Sequence, residues 1–318
     1  MMVNDLNPIC KHIDKETIAI VLPIFKKKYL QDTLRSIFSM TGIDRANVYA
    51  FDDNSPEDLM SICKSYQQLS NFHYYRFSDN LGQRDLALHW NRCIERVEEK
   101  WLWLFSDDDL VERDCLKNFF YSLRNTESEH VLYRFNTKVI DEKNAEICIN
   151  KHPTYELPID YLKAKLSGRR LGFVSEFIIC RETLIKCKGF VRFPLAWNSD
   201  DATWFQISRG NYIYTIPGSF VCWRKSGENI SAASDSYRDT LFQASKEYIV
   251  WLSARVENKD KMERILRSWF IQQYIYLYRN STISIPKILK EYKYFWKKNL
   301  MSFLSSVTGY VFNKYLRH

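Results

Sequence analysis

Two rhythms of apolar and polar positions alternate along the first 135 residues. Short apolar runs at Thr17–Phe25, Asn47–Phe51, Phe72–Phe77, Trp101–Phe105 and Val131–Phe135 have the length and composition of buried strands. Pro23 interrupts the first run and predicts that this strand ends near it. Between the runs, apolar residues recur at helical spacing. Leu30, Leu34, Ile37 and Phe38 do so within Tyr29–Met40, and Leu86, Trp90, Cys93, Ile94 and Val97 do so after the third run. A further helix is expected before Val131. Ser55 followed by Pro56 reads as a helix start, with a capping hydroxyl and then proline at the first helical position. Strands alternating with helices predict an α/β fold, a mostly parallel sheet with helices on both faces.

Beyond residue 140 the rhythm is less regular, and from about 236 onward the pattern reads as helices. The expected organisation is a lead-in over 1–16, a first α/β half over 17–135, a second half over 136–235 and a helical, basic C-terminal extension over 236–318.

The candidate chemistry lies where apolar runs stop. The fourth run ends in Asp107, Asp108 and Asp109, and the second in Asp52 and Asp53. Ligands of open α/β sheets bind outside the carboxyl ends of the strands, so one cleft can hold both groups. Three adjacent carboxylates repel one another and need an offsetting charge. A divalent cation with oxygen ligands supplies it, and magnesium usually brings substrate phosphates along. The competing reading is a solvated acidic turn.

Composition narrows the choices. A hydrophobic content of 46% in 318 residues is ample for a core. The nine glycines form neither GxGxxG nor GxxxxGK[ST], so any nucleotide must be held by side chains and metal. The eight cysteines show no CxxC spacing and read as reduced, mostly buried thiols of a cytoplasmic protein. The histidines show no metal spacing and are expected to be structural or exposed. There is no signal-peptide pattern, and no window approaches the roughly 18 uninterrupted apolar residues of a membrane span.

Several short motifs, in order over residues 17–231, together resemble a family-2 glycosyltransferase with the GT-A fold. They are the opening strand through Pro23, then Asp52-Asp53-Asn54-Ser55, then Asp79-Asn80-Leu81-Gly82 followed by Arg84 and Asn91. Ser106-Asp107-Asp108-Asp109 stands where the family carries its metal-binding Asp-x-Asp. Gly189-Phe190 followed by Asp200-Asp201 resembles a Gly-Phe…Glu-Asp region whose last acid is the catalytic base. The Gln-x-x-Arg-Trp motif of processive polysaccharide synthases is absent, since Trp223-Arg224 reverses its last two residues. Addition of a single sugar is therefore expected.

The resemblance implies a metal-dependent transferase that carries a sugar from a nucleotide sugar, a UDP-sugar by preference, to an acceptor hydroxyl, with inversion. Asp109 or Asp108 is the expected direct ligand of Mn²⁺ or Mg²⁺, with Asp109 leading, and Asp107 would touch ribose or a metal-bound water. Pro23, Asp53 and Asp52 would line the nucleotide site, or the acids would serve an Asx turn. Arg84 would pair with base or diphosphate, or else be a solvated helix-start arginine. Asp201, with Asp200 second, is the expected general base; the alternative is a helix cap beside a solvated acid. Arg224, in a flexible-looking stretch, would clamp the diphosphate. Trp197, Trp204 and Trp223 would stack on sugar or fill the core.

Most of the net charge of +8 lies in the tail, where six Lys and one Arg face one Glu between Pro286 and His318. On a helical wheel Lys287, Lys290, Lys293, Lys297 and Lys298 oppose Ile288, Leu289, Tyr292, Phe295, Trp296 and Leu300. This is the pattern of a basic amphipathic helix at an anionic membrane surface, or of a helix packed on its own domain. It suits a lipid-linked saccharide acceptor in surface polysaccharide or glycolipid assembly, at the inner face of the cytoplasmic membrane. Two other functions compete. A sugar nucleotidyltransferase is disfavoured because no glycine follows the first strand. A non-catalytic membrane- or nucleic-acid-binding protein, with nucleic acid the lesser prospect, leaves the acid clusters unexplained.

Overall fold

The computed structural model describes residues 17–126, 130–227, 235–256, 259–278, 286, 289–291 and 293. The chain runs β1 (Ile18–Ile24), α1 (Leu30–Phe38), β2 (Ala46–Asp52), α2 (Met60–Cys63), β3 (Phe72–Arg76), α3 (Leu86–Ile94) and β4 (Trp101–Leu104). It continues through β5 (Leu110–Val111), α4 (Cys115–Asn125), β6 (Leu132–Ile140), β7 (Glu146–Asn150), β8 (Tyr155–Glu156), α5 (Pro158–Leu166), β9 (Phe177–Cys180) and α6 (Arg181–Lys186). The described chain closes with α7 (Ser199–Ile207), β10 (Ile213–Arg224), α8 (Arg238–Ser253) and α9 (Lys259–Leu277).

The strands form one sheet in the order β3-β2-β1-β4-β9-β6-β10-β5, with β7 on β6 and β8 on β10. The block β3-β2-β1-β4 is parallel throughout. Antiparallel β9 joins it to β6, and β10 runs parallel to β6. The long strands thus point one way and only β9 and the short strands oppose them. The expected division at 135/136 falls inside β6, and one sheet spans both halves.

Alternation along the strands explains the layers. Ile18, Ile20, Leu22, Trp101 and Trp103 pack with α1, α2 and α4 on one face. Ala19, Val21, Leu102 and Leu104 pack with α3 and α5–α9 on the other. The periodicity read for the first helix holds, since Leu30, Leu34 and Ile37 are fully buried.

Ser55-Pro56 does not start a helix; α2 begins at Met60 and makes a single turn. Asp52 Oδ1 accepts from the Ser55 amide at 2.8 Å, and the Ser55 hydroxyl donates to the Phe25 carbonyl at 2.6 Å. These bonds close a turn onto the end of β1, so the capping residues serve a loop.

The chain leaves β1 for β2 and β3 on one side and returns to β4 on the other. This switch point opens a crevice at the carboxyl ends of β1, β2 and β4. The described cysteines are free thiols; Cys63, Cys93 and Cys115 are buried and Cys148 is exposed. Most of the basic tail helix lies outside the described residues. Of its described positions, Leu289 packs against the core, Lys290 and Lys293 are exposed, and Glu291 pairs with Lys246 of α8 at 3.4 Å.

Candidate active site

A cavity of about 560 Å³ fills the crevice. Pro23–Lys26 at the end of β1, Asp53 after β2 and Leu104–Asp108 from β4 form its floor. The acids after β4 are placed by the register. The Phe105 amide makes the last ladder bond, to Val21 at 2.9 Å, and the chain then turns. Asp107 Oδ2 accepts from the Phe25 and Lys26 amides at 2.8 and 2.9 Å, tying the ends of β1 and β4 together. Thr33 of α1 donates to the carbonyls of Asp107 and Asp109 at 3.1 and 2.9 Å and fixes the turn from below.

Asp108 and Asp109 part company here. Asp108 lines the cavity, and burial followed by the Asp109 and Asp107 charges pushes its carboxyl up to about 8. Asp109 is fully buried and does not line the cavity. Its Oδ2 accepts from the Ser175 hydroxyl at 2.6 Å and its Oδ1 from the Arg224 amide at 2.9 Å. Both oxygens of Asp109, the expected leading metal ligand, are thus engaged by the turn before β9 and by β10, and of the three adjacent acids Asp107 and Asp108 line the cavity.

The acids after β2 also differ. Asp52 is fully buried, accepts from Tyr74 and Arg76 at 2.6 Å each, and lies away from the cavity. Asp53 lines the cavity but accepts from the Leu81 and Gly82 amides at 3.1 and 2.7 Å and from Arg92. A Cβ on Gly82 would sit 2.6 Å from Asp53 Oδ2, so the close approach requires glycine. Arg84, expected to meet base or diphosphate, pairs with Asp79 at 2.5 Å, is mostly exposed and is not on the cavity lining.

Elsewhere on the cavity wall, α7 begins after Asn198, whose φ of 64° is left-handed. Leu195 and Ala196 just before it also have positive φ and, with Trp197, line the cavity. Such conformations are costly for residues with a Cβ and persist at sites that need them. Asp200 in the first turn of α7 faces the cavity, and burial followed by the Asp201 charge pushes it up to about 7. Asp201 points the other way, accepting from Tyr161 at 2.8 Å and Lys165 at 2.9 Å. Of the two acids expected as the base, Asp201 is held in a buried ion pair and Asp200 lines the cavity.

Arg224 is the last residue of β10 and almost fully buried. Its guanidinium donates to the carbonyl of Asp108 at 2.7 Å and to Asn144 at 2.6 Å, and lies 4.2 Å from the Tyr29 ring. The guanidinium of this expected diphosphate clamp thus braces the acidic turn and is not on the cavity lining. Trp197 and Trp223 line the cavity, Trp223 stacked on Phe173 at 4.3 Å. Trp204 is fully buried against Phe177 and belongs to the core.

Sequence reasoning missed Arg92, His89, Lys165, Tyr161 and Ser175. Arg92 joins Asp53 to Asp79 and donates to His89 Nδ1 at 3.0 Å. Burial, opposed by Asp53 but aided by Arg92, takes His89 down to about 4, so it stays neutral and accepts that bond. A polar His89–Arg92 pair one helical turn apart on a largely apolar helix was the available signal.

Among the described residues no three acid, His or Cys side chains converge as a closed metal site. Asp107 and Asp108 offer instead an open donor set of two carboxyls. That set fits magnesium or manganese, hard cations that complete their shells with water and phosphate oxygens.

A largely parallel sheet thus gathers acids from several elements at its switch point, in the architecture of the GT-A fold. The chain belongs to glycosyl transferase family 2, whose sequence model matches residues 19–185, and it is a glycosyltransferase. The fold resembles that of S. aureus TarS 1–349 in complex with UDP-GlcNAc, with a TM-score of 0.62 at 15% identity over 81% of this chain and 72% of that one. TarS 1–349 in complex with UDP matches with a TM-score of 0.62 at 14% identity, over 86% of this chain and 77% of that one. TarS itself gives 0.58 at 14% identity over 92% of this chain and 49% of its own. No curated protein matches the chain.

Proposed function

We propose that this protein is a metal-assisted, inverting glycosyltransferase that moves one sugar from a nucleotide-sugar donor to an acceptor hydroxyl. The observation that carries the reading is the meeting of Asp107 and Asp108 with Asp200 in one cavity. A metal held there would stabilise the departing diphosphate as a Lewis acid. Asp107 and Asp108 would hold it, with Asp107 already fixed by two backbone amides. Lys26, also on the cavity wall, adds positive charge for phosphate. Trp197, Trp223 and Phe173 present rings suited to sugar faces.

Asp200 accepts the proton of the acceptor hydroxyl as the nucleophile attacks the anomeric carbon. Its displaced pKa of about 7 matches a general base at neutral pH. A single base with no covalent intermediate gives inversion. UDP is the favoured carrier, supported by the UDP and UDP-GlcNAc complexes of the structural relatives. No described helix is long and apolar enough to cross a membrane. The basic tail motivates an acceptor presented at the inner face of the cytoplasmic membrane, such as a lipid-linked saccharide.

The test is a panel of UDP-sugars incubated with candidate acceptors, with and without Mn²⁺. Nucleotide release is measured, and the anomeric configuration of product is read by NMR. Metal-dependent release with an inverted product is expected; full turnover by Asp200→Asn would sink the reading.

A further inference from the structure

Resting on the reading of Asp200 as the acceptor-side base, we infer that Lys165 of α5 is a positioning residue. Through Asp201 and the Gly172 carbonyl, it fixes that base against the segment that reaches the donor-side acids.

The geometry forms one continuous strut. Lys165 Nζ donates to Asp201 Oδ1 and to the carbonyl of Gly172, each at 2.9 Å. Tyr161, one helical turn earlier on the same face, donates to the same Asp201 oxygen at 2.8 Å. Two donors thus hold Asp201 Oδ1, Asn198 donates to its Oδ2 at 3.4 Å, and Asp200 is carried with it on the first turn of α7. From Gly172 the chain passes Phe173 and Val174, both on the cavity wall, to Ser175. Ser175 donates to Asp109 at 2.6 Å, and its carbonyl accepts from Trp103 Nε1 of β4 at 2.7 Å. The strut therefore runs from the base, through α5, to the carboxylate next to Asp108.

A second observation supports it. A Cβ on Gly172 would sit 2.6 Å from Tyr161 Oη and 2.7 Å from Lys165 Nζ. The segment is pressed against both donors as closely as a glycine allows.

Lys165 also sets the charge around Asp200. Burial alone would lower the Lys165 ammonium pKa, but the Asp201 and Asp200 charges outweigh it and the pKa is raised. The groups around Asp200 are Asp201 on its own helix, Lys165 and Tyr161 from α5, Tyr248 from α8, and Glu176 close to Lys165 and Tyr161. Lys165 is the one cation among these, so its loss leaves Asp201 uncompensated beside the base.

The test compares Lys165→Met, Asp201→Asn, the double variant and Lys165→Arg, with kcat and donor KM measured from about pH 5 to 9. For Lys165→Met, kcat at neutral pH is expected to fall by at least ~10-fold, with donor KM within about twofold and the acid limb moved to higher pH. Asp201→Asn should move that limb to lower pH. The double variant, with both charges removed, should bring the limb back towards wild type and recover part of kcat, and Lys165→Arg should hold the limb near wild type. A uniform loss of kcat with an unmoved limb, or a double variant no better than Lys165→Met, would overturn the inference. An inactive Asp200→Asn beside an unaltered Lys165→Met profile would overturn it alone, leaving the base reading intact. A fully active Asp200→Asn would overturn the base reading and this inference with it.

Discussion

The strand-end cluster Asp107–Asp109 and the helix-start pair Asp200–Asp201 reach one cavity from different supports. The first hangs on a parallel ladder and is pinned by backbone amides. The second rides on the first turn of a helix entered through left-handed residues. Both nonetheless divide the work in the same way. One acid faces the cavity with its pKa raised by burial and by its neighbour, and that neighbour turns inward to join distant strands and helices. Asp109 binds Ser175 and Arg224; Asp201 binds Tyr161 and Lys165. A buried carboxylate is costly unless hydrogen-bonded, so the inward acid is stable only with its donors. The outward acid keeps a displaced pKa because it is buried and, secondly, because its partner's charge lies beside it. The lesson is that adjacent acids in such motifs form a support and a tool.

The largest effects should separate the two roles. Asp200→Asn is expected to lower kcat by about 10²–10⁴-fold with thermal stability equal to or above wild type, since it removes a destabilised carboxylate. Turnover within tenfold of wild type would break the assignment. Asp201→Asn and Asp109→Ala should instead lose stability first. Breaking a buried ion pair costs on the order of 3–5 kcal/mol, and each orphaned donor about 1–3 kcal/mol. Chemical denaturation would show both, and unchanged midpoints would contradict the bracing role.

A smaller effect probes the link between the helices. Gly189 has φ of 81°, and a Cβ there would meet Asn91 Oδ1 at 2.4 Å. Asn91 holds the Phe190 amide at 2.7 Å. Gly189→Ala is expected to cost roughly 1–3 kcal/mol and to lower activity through misplacement of α7. An unchanged melting temperature would show that this junction yields freely.

The smallest effect is the pH dependence of the metal-free protein. Asp108 and Asp200 stand at about 8 and about 7 against an ordinary value of 3.8. The folded state binds these protons more tightly than the unfolded chain. Their contribution is therefore full below the unfolded value and is lost as pH rises through about 7 to 8. Melting temperature without metal should fall over that window, and Asp108→Asn should flatten the fall. A wild-type profile that rises there would contradict the shifts.

The sequence made the convergence of Asp53 with Asp107 and Asp108 legible because strand ends of a parallel sheet gather at one edge, and both clusters close apolar runs. The helical periodicities were readable for the same local reason. The division within each pair was not, because it depends on remote partners. Asp109 meets residues 66 and 115 positions away, and Asp201 meets residues 40 and 36 away. Arg224 looked mobile from its polar, Gly-containing neighbours, yet it ends a strand and packs on Tyr29. Ser55-Pro56 carried a helix-start signal that the Asp52 turn and the Phe25 carbonyl overrode.

The most direct test is thermal stability of wild type, Asp108→Asn and Asp109→Asn with UDP, with and without Mn²⁺. A ligand at about 100 times its dissociation constant adds about 2.7 kcal/mol. The account predicts that UDP with Mn²⁺ stabilises wild type, that Asp108→Asn loses this increment, and that Asp109→Asn starts lower but keeps it. An increment kept by Asp108→Asn and lost by Asp109→Asn would contradict the division of the acids.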